Sequence, residues 1–275
     1  MRLAIAGIRK YWTRSATILS LVLAVGFVAL EFVLAGVGYR SASGGTTIDK
    51  ATATWLLTFP DAFDAILAIA FEFVAIIGLI YVATASGSEW TWGTLKVAVA
   101  RGHSRWGYTL STFGSLAIIV LVGLALGVLA GVVGVAMGAS IAGFPMGNPL
   151  DLSALPQFFV KFARAGIGIV ALTSVGYAAA MVAKNQMAGI GTVIVYFIFS
   201  IVAPALLPQI VRDILRYQPF STAADAIGLS GPPTTVAATS TTALDPNVAL
   251  AITVAWLVGL LAVAAISVQR AEVTG

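Results

Sequence analysis

The chain has 275 residues, 59% of them hydrophobic and 9% charged, with no cysteine, one histidine and a formal net charge of +4. A soluble domain carries about 25% charged residues, so this composition, with a mean hydropathy of +1.00, excludes an ordinary soluble core and implies an all-α integral membrane protein. The cysteine count excludes disulfides, thiolate metal sites and thiol catalysis, a single histidine excludes a His-Glu-x-x-His zinc site, and so small a net charge is a matter of loop asymmetry rather than a nucleic-acid signal.

In chain order, the first 14 residues predict an interfacial helix. At 100° per residue Ala4, Ile5, Ile8, Tyr11 and Trp12 share one face, while Arg2, Arg9, Lys10, Thr13 and Arg14 share the other. Such a helix lies in the headgroup layer with its cations near anionic lipid; an ordinary basic flank is the alternative. A hydrocarbon core of about 30 Å needs roughly 20 apolar residues in a helix. Six such stretches follow, over residues 16–38, 62–84, 110–139, 158–183, 188–207 and 248–268, in one transmembrane domain covering 1–275. The first is too long for the apolar region of a signal peptide, although Ser41-Ala42-Ser43 has some look of a cleavage site. Lys184-Asn185-Gln186 predicts a tight turn between the fourth and fifth spans. The third span carries Gly123, Gly127 and Gly131, then Gly134 and Gly138, a small-residue face for close helix packing within the chain or between subunits. Between the fifth and sixth spans, Gln209 to Tyr217 and Ser221 to Ile227 predict short outer helices separated at Pro219, and Ser230 to Ala243 predicts a mobile loop.

Basic residues set the orientation. Arg2, Arg9, Lys10, Arg14, Lys96, Arg101, Arg105, Lys184 and Arg270 fall on one side. Arg40, Lys50, Arg212 and Arg216, with Lys161 and Arg164 just inside the fourth span, fall on the other, as do Asp49, Asp61, Asp64, Asp151, Asp213, Asp225 and Asp245. Both termini are therefore expected in the cytoplasm of a multi-pass plasma-membrane protein. Glu31, Glu72 and Arg164 lie inside spans. An isolated charge in hydrocarbon costs roughly 2.5–3.5 kcal/mol on insertion scales, so Arg164 is expected to pair with Glu31 or Glu72, and Lys161 to snorkel outward.

The segment from Ser86 to Arg105 is too polar to span. Trp92, Leu95 and Val99 recur at helical spacing, and Gly102 is placed to end the helix. Its Glu89, its Gly93-Thr94-Leu95-Lys96 and its Arg101-Gly102 with Ser104-Arg105 resemble the cytoplasmic signature of ABC-2-type transporter permeases. The motif covers about 20 residues, and the six spans, N-terminal helix and final outer loop fit the same family. The resemblance implies a permease that pairs with a second copy or a homologous permease and docks an ATPase subunit. Gly93 to Ala100, including Val99, would then be the coupling helix, with Glu89, Arg101, Gly102, Ser104 and Arg105 around it. ATP and magnesium would belong to the partner, since no Gly-x-x-x-x-Gly-Lys-Ser/Thr occurs here. The chain itself is expected to be no enzyme and to hold no cofactor or metal. Gly228-Leu229-Ser230-Gly231 has the look of a serine-protease motif, but His103, its only possible base, is placed across the membrane. An ion-coupled secondary transporter working through the intramembrane acids is the main alternative, although the two halves lack paired Gly/Pro-broken helices; a non-transport membrane scaffold is the other. The small outer segment suits an amphipathic or hydrophobic substrate.

Overall fold

The structure, a computed structural model, describes residues 2–41, 49–149, 151–229 and 243–271. Among them are eleven helices: α1 (Arg2–Trp12), α2 (Ser15–Ser41), α3 (Lys50–Leu57), α4 (Ala62–Thr91), α5 (Thr94–Ala100), α6 (Arg105–Ala142), α7 (Leu155–Ala183), α8 (Gln186–Leu206), α9 (Gln209–Leu215), α10 (Pro219–Ile227) and α11 (Pro246–Arg270). Five of these, α2, α4, α6, α7 and α11, are long and apolar enough to cross a membrane by length and composition, which makes this a multi-pass membrane protein. Helix α8 has 21 residues, with a shorter described apolar stretch at Gln186–Ser200.

The apolar stretches of α4 and α7 are each 72% buried, those of α2 and α11 only 22%, so α4 and α7 form the centre of the bundle. The outer faces of α2 and α11 expose Leu19, Val22, Leu34 and Val258, as helices in lipid do. Helix α6 packs on α2 and α4 through its glycines. A Cβ at Gly131 would meet Ile66, and one at Gly138 would stand 2.3 Å from the Phe32 carbonyl oxygen of α2. The small-residue face therefore serves packing within the chain, where backbones approach closely only because side chains are absent.

Each turn has a local cause. Gly93 takes a left-handed conformation (φ +66°) and ends α4. After α5, Gly102 (φ +85°) gives its N–H to Val99 and His103 gives its N–H to Ala98, a Schellman arrangement that occupies two orphan carbonyls. Ser104 then accepts from Gly107 N–H and caps α6. The expected turn at Lys184-Asn185-Gln186 is present, with Lys184 left-handed (φ +52°) and the Asn185 side chain accepting from Met187 N–H.

Both ends of the described chain lie at the same end of the bundle. Helix α1 is tied to the last turn of α4 and the first turn of α6, and Arg105 at the start of α6 donates to the carbonyls of Gln269 (2.7 Å) and Ala271 (2.9 Å) at the end of α11. Helix α8 begins there too, with Gln186 against Gly87. It finishes at the opposite end, where Ser200 donates to Gln218 and Tyr196 accepts from Phe220 N–H.

The structure corrects several expectations. Helix α4 runs seven residues past the expected span end at Thr84, and α6 starts at Arg105 rather than Leu110, so the segment from Ser86 to Arg105 begins as the end of α4, continues as the seven-residue α5 and closes on the first residue of α6. Helix α3 was not foreseen. Helix α10, expected as a surface helix from Ser221, starts at Pro219 and turns back into the bundle. Phe220, Thr222, Ala223, Ala226 and Ile227 are all buried, and Ala223 approaches Gly168 of α7. Gly168 lies 13 residues into α7, or roughly 20 Å at 1.5 Å per residue. The loop expected over Ser230 to Ala243 lies, for 230–242, outside the described residues, as do Ala42 and Ser43 of the cleavage-like triplet and Ser230 and Gly231 of the protease-like motif.

The expected ion pair of Arg164 gives way to another arrangement. Its guanidinium donates to Asn247 Oδ1 (2.8 Å) and to the Ala226 carbonyl (3.4 Å). The reason is α10: a helix that ends inside the protein leaves carbonyls without partners, and a cation at its C-terminus satisfies them. Glu31 lies on the exposed side of α2 and Glu72 is half-buried on α4. Lys161 does not snorkel to solvent but bonds both oxygens of Asp64 at 2.8 and 2.7 Å, bridging α7 and the first turn of α4.

Candidate functional site

The site is the elbow where α4, α5 and α6 meet beneath α1. Its centre is Glu89, in the last turn of α4 and only 1% exposed. A buried carboxylate is tolerated only when its charge and lone pairs are met, and here they are. Lys10 of α1 reaches both oxygens (2.7 and 2.8 Å), Tyr11 donates at 2.8 Å, Tyr108 of α6 and Thr94 of α5 each donate at 2.5 Å, and Arg14 stands 3.6 Å away. One carboxylate thus joins four helices. Burial, together with the Glu89 carboxylate beside it, pushes the Tyr11 hydroxyl well above the usual tyrosine range, so Tyr11 remains a neutral donor. Thr17 extends the network by donating to the Tyr11 carbonyl and sharing a hydrogen bond with Tyr81, and Arg14 donates to Ser88 and lies over the Trp92 ring.

The residues singled out in this segment divide into two sets. Glu89, Gly93, Thr94, Leu95, Gly102, Ser104 and Arg105 build the elbow. Leu95 is 2% exposed against the core, the two glycines make the turns, Ser104 caps α6, and Arg105 holds the end of α11. Lys96 and Arg101 are exposed and Val99 is half-buried. With Val97 and Ala100 they leave a short basic and apolar face on α5 turned outward. Glu31, Glu72 and Arg164 are remote from this elbow along their helices.

Sequence reasoning found one of the donors, Thr94, and missed the rest. In the sequence, Lys10 and Arg14 belong to the polar face of an interfacial helix or to an ordinary basic flank, and Tyr11 to an apolar face. The available signal was electrostatic. Glu89 is the one acid in Ser86 to Arg105, next to a membrane and surrounded by cations, and so demanded a partner. No protein-family model matches this chain, and no curated protein matches it.

Proposed function

We propose that the chain is the transmembrane permease subunit of an ATP-driven ABC exporter of the ABC-2 type, working with a separate ATPase subunit and a second permease, identical or homologous. The observation that carries the reading is the Glu89 clamp. It locks α5 to the ends of two long bundle helices while leaving the Lys96, Val97 and Ala100 face open. A push on that face is passed to α4 and α6 as rigid bodies, because the hinge is held by five direct hydrogen bonds to one carboxylate. The permease itself does no bond chemistry in this reading; ATP and magnesium sit on the partner.

The same reading places the elbow and both chain ends in the cytoplasm, by the positive-inside rule. It makes α8 the sixth crossing, since ends that share one face of a bundle need an even number of spans.

The test is a crosslink. The chain has no cysteine, so Lys96→Cys and Ala100→Cys each introduce a single thiol on the open face. Purified from native membranes, each variant should carry an ATP-hydrolysing subunit and crosslink to it, while a cysteine at Leu206, near the other end, should not. A chain that purifies without any ATPase, and whose vesicles move substrate on an ion gradient alone, would make it a secondary transporter instead.

A further inference from the structure

Beside the Glu89 clamp, between α1, α5 and α6, lies an open cleft of about 400 Å³. Lys10, Arg101 and His103 stand around it, Tyr108 and Ser111 bring hydroxyls, and Val97 forms part of an apolar wall. The side chains of Arg101 and His103 are exposed and have no hydrogen-bond or ion-pair partner among the described residues. The one carboxylate nearby, Glu89, is buried and already met by Lys10, Arg14 and three hydroxyls. The Tyr108 and Ser111 hydroxyls already donate, to Glu89 and to the Tyr108 carbonyl, so the donors the cleft still offers are the exposed Arg101 and His103 side chains beside the Lys10 ammonium.

Its level in the membrane is marked independently. Trp12, Trp92 and Trp106 are exposed at this end, 46%, 65% and 39% respectively, and Trp90 packs near Lys184. Four of the six tryptophans therefore ring the bundle here, as aromatic side chains do at headgroup depth. Ile5, on α1, is also exposed.

The geometry points to a phosphate-binding site in the α1–α5–α6 cleft, held by Arg101, His103 and Lys10 and fitted to the headgroup of an anionic phospholipid. Charge-assisted hydrogen bonds from guanidinium and ammonium groups suit a phosphate, and the apolar wall offers a place for the glycerol backbone. A lipid so bound would bridge the interfacial helix to the elbow. The site does not depend on an ATPase partner, only on the cleft lying at the headgroup level, so its test stands apart from the one above.

The full chain, purified in detergent, is titrated with dioctanoyl phosphatidylglycerol and followed by native mass spectrometry. Saturable one-to-one binding is expected, weakened by about tenfold or more in Arg101→Gln combined with His103→Gln, the scale of a lost charge-assisted hydrogen bond. Arg9→Gln, which removes a cation from the exposed side of α1, should leave the affinity unchanged. Both variants change exposed side chains, and an unaltered unfolding temperature shows that each is folded. Two further probes separate the sources of the phosphate. Inorganic phosphate binding as tightly as the lipid would mean a soluble phosphate group is the ligand; weak competition by phosphate would mean the lipid headgroup. Equal binding of dioctanoylglycerol, which has no phosphate, would overturn the site, as would equal effects of Arg9→Gln and the double variant, or no saturable binding at all.

Discussion

At the residue scale, Glu89 carries more of this structure than any other charged side chain. Removing one partner of a buried ion pair leaves the others uncompensated and costs about 3–5 kcal/mol. In Glu89→Ala, Lys10 and Arg14 lose their counter-charge and Tyr11, Thr94 and Tyr108 lose their acceptor. The expected result is destabilisation on that scale, with faster hydrogen exchange in α1 and α5. Lys10→Met should cost less, because its side chain is 36% exposed and water can replace part of what is lost. Thermal unfolding of the two variants in detergent, with exchange read helix by helix, checks the ranking. Equal and small effects would mean that α1 is held by its apolar face alone. The role of Glu89 was only half legible in the sequence. Its motif neighbours were visible, Thr94 among them, but its other donors are Lys10, Tyr11 and Tyr108, with Arg14 as a second cation, and no local pattern joins positions so far apart in the chain.

At the element scale, hydrophobic periodicity and length located every long helix, because a span of about 20 apolar residues leaves few alternatives. The ends were less legible. The polar residues Ser86, Ser88 and Glu89 look too polar to extend the span, yet each hydroxyl turns back to its own helix, Ser86 to Val82 and Ser88 to Ala85, and the carboxylate finds most of its donors on other helices. Helix continuation there depends on tertiary partners rather than on local hydropathy. The same holds for α10, whose nine residues look like a surface helix until α7 and α11 cover them. The glycines of α6 were legible as a packing face but not as to which partner they meet, and the contact with α2 now makes that testable. A methyl at Gly138 would stand 2.3 Å from the backbone oxygen of Phe32 and 2.8 Å from Leu57. Backbone cannot yield as a side-chain tip does, so α2 and α6 must separate locally. Gly138→Ala should lower stability by about 1–3 kcal/mol, the usual cost of overpacking, whereas Gly114→Ala on the same helix, with open space around it, should not. Unfolding of both variants in mild detergent decides it. A subunit interface as the sole role of Gly138 would instead show as lost oligomers with an unchanged monomer.

At the scale of the whole molecule, the decisive quantity is the number of crossings. Five helices meet the length and composition of a span, and α8 is the helix on which parity turns. An odd number would send residue 271 to the face opposite α1. Yet α1 is tied to Glu89, which in turn accepts from Tyr108, while Arg105, three residues before Tyr108, holds the carbonyls at the end of α11. The two ends share one end of the bundle, which also carries Lys96, Arg101, Lys184 and Arg270 along its helix termini. With that basic end inside, a reporter active only in the cytoplasm should work when fused at Met1 and again after Gly275, and at Lys184 between α7 and α8. The same reporter placed at Asn148, between α6 and α7, or in the segment 230–242, should be silent. If α8 did not cross, fusions at Met1 and in 230–242 would both be active and those after Gly275 silent. That pattern would overturn the six-crossing layout while leaving the Glu89 elbow intact, since the clamp involves none of the residues of α8.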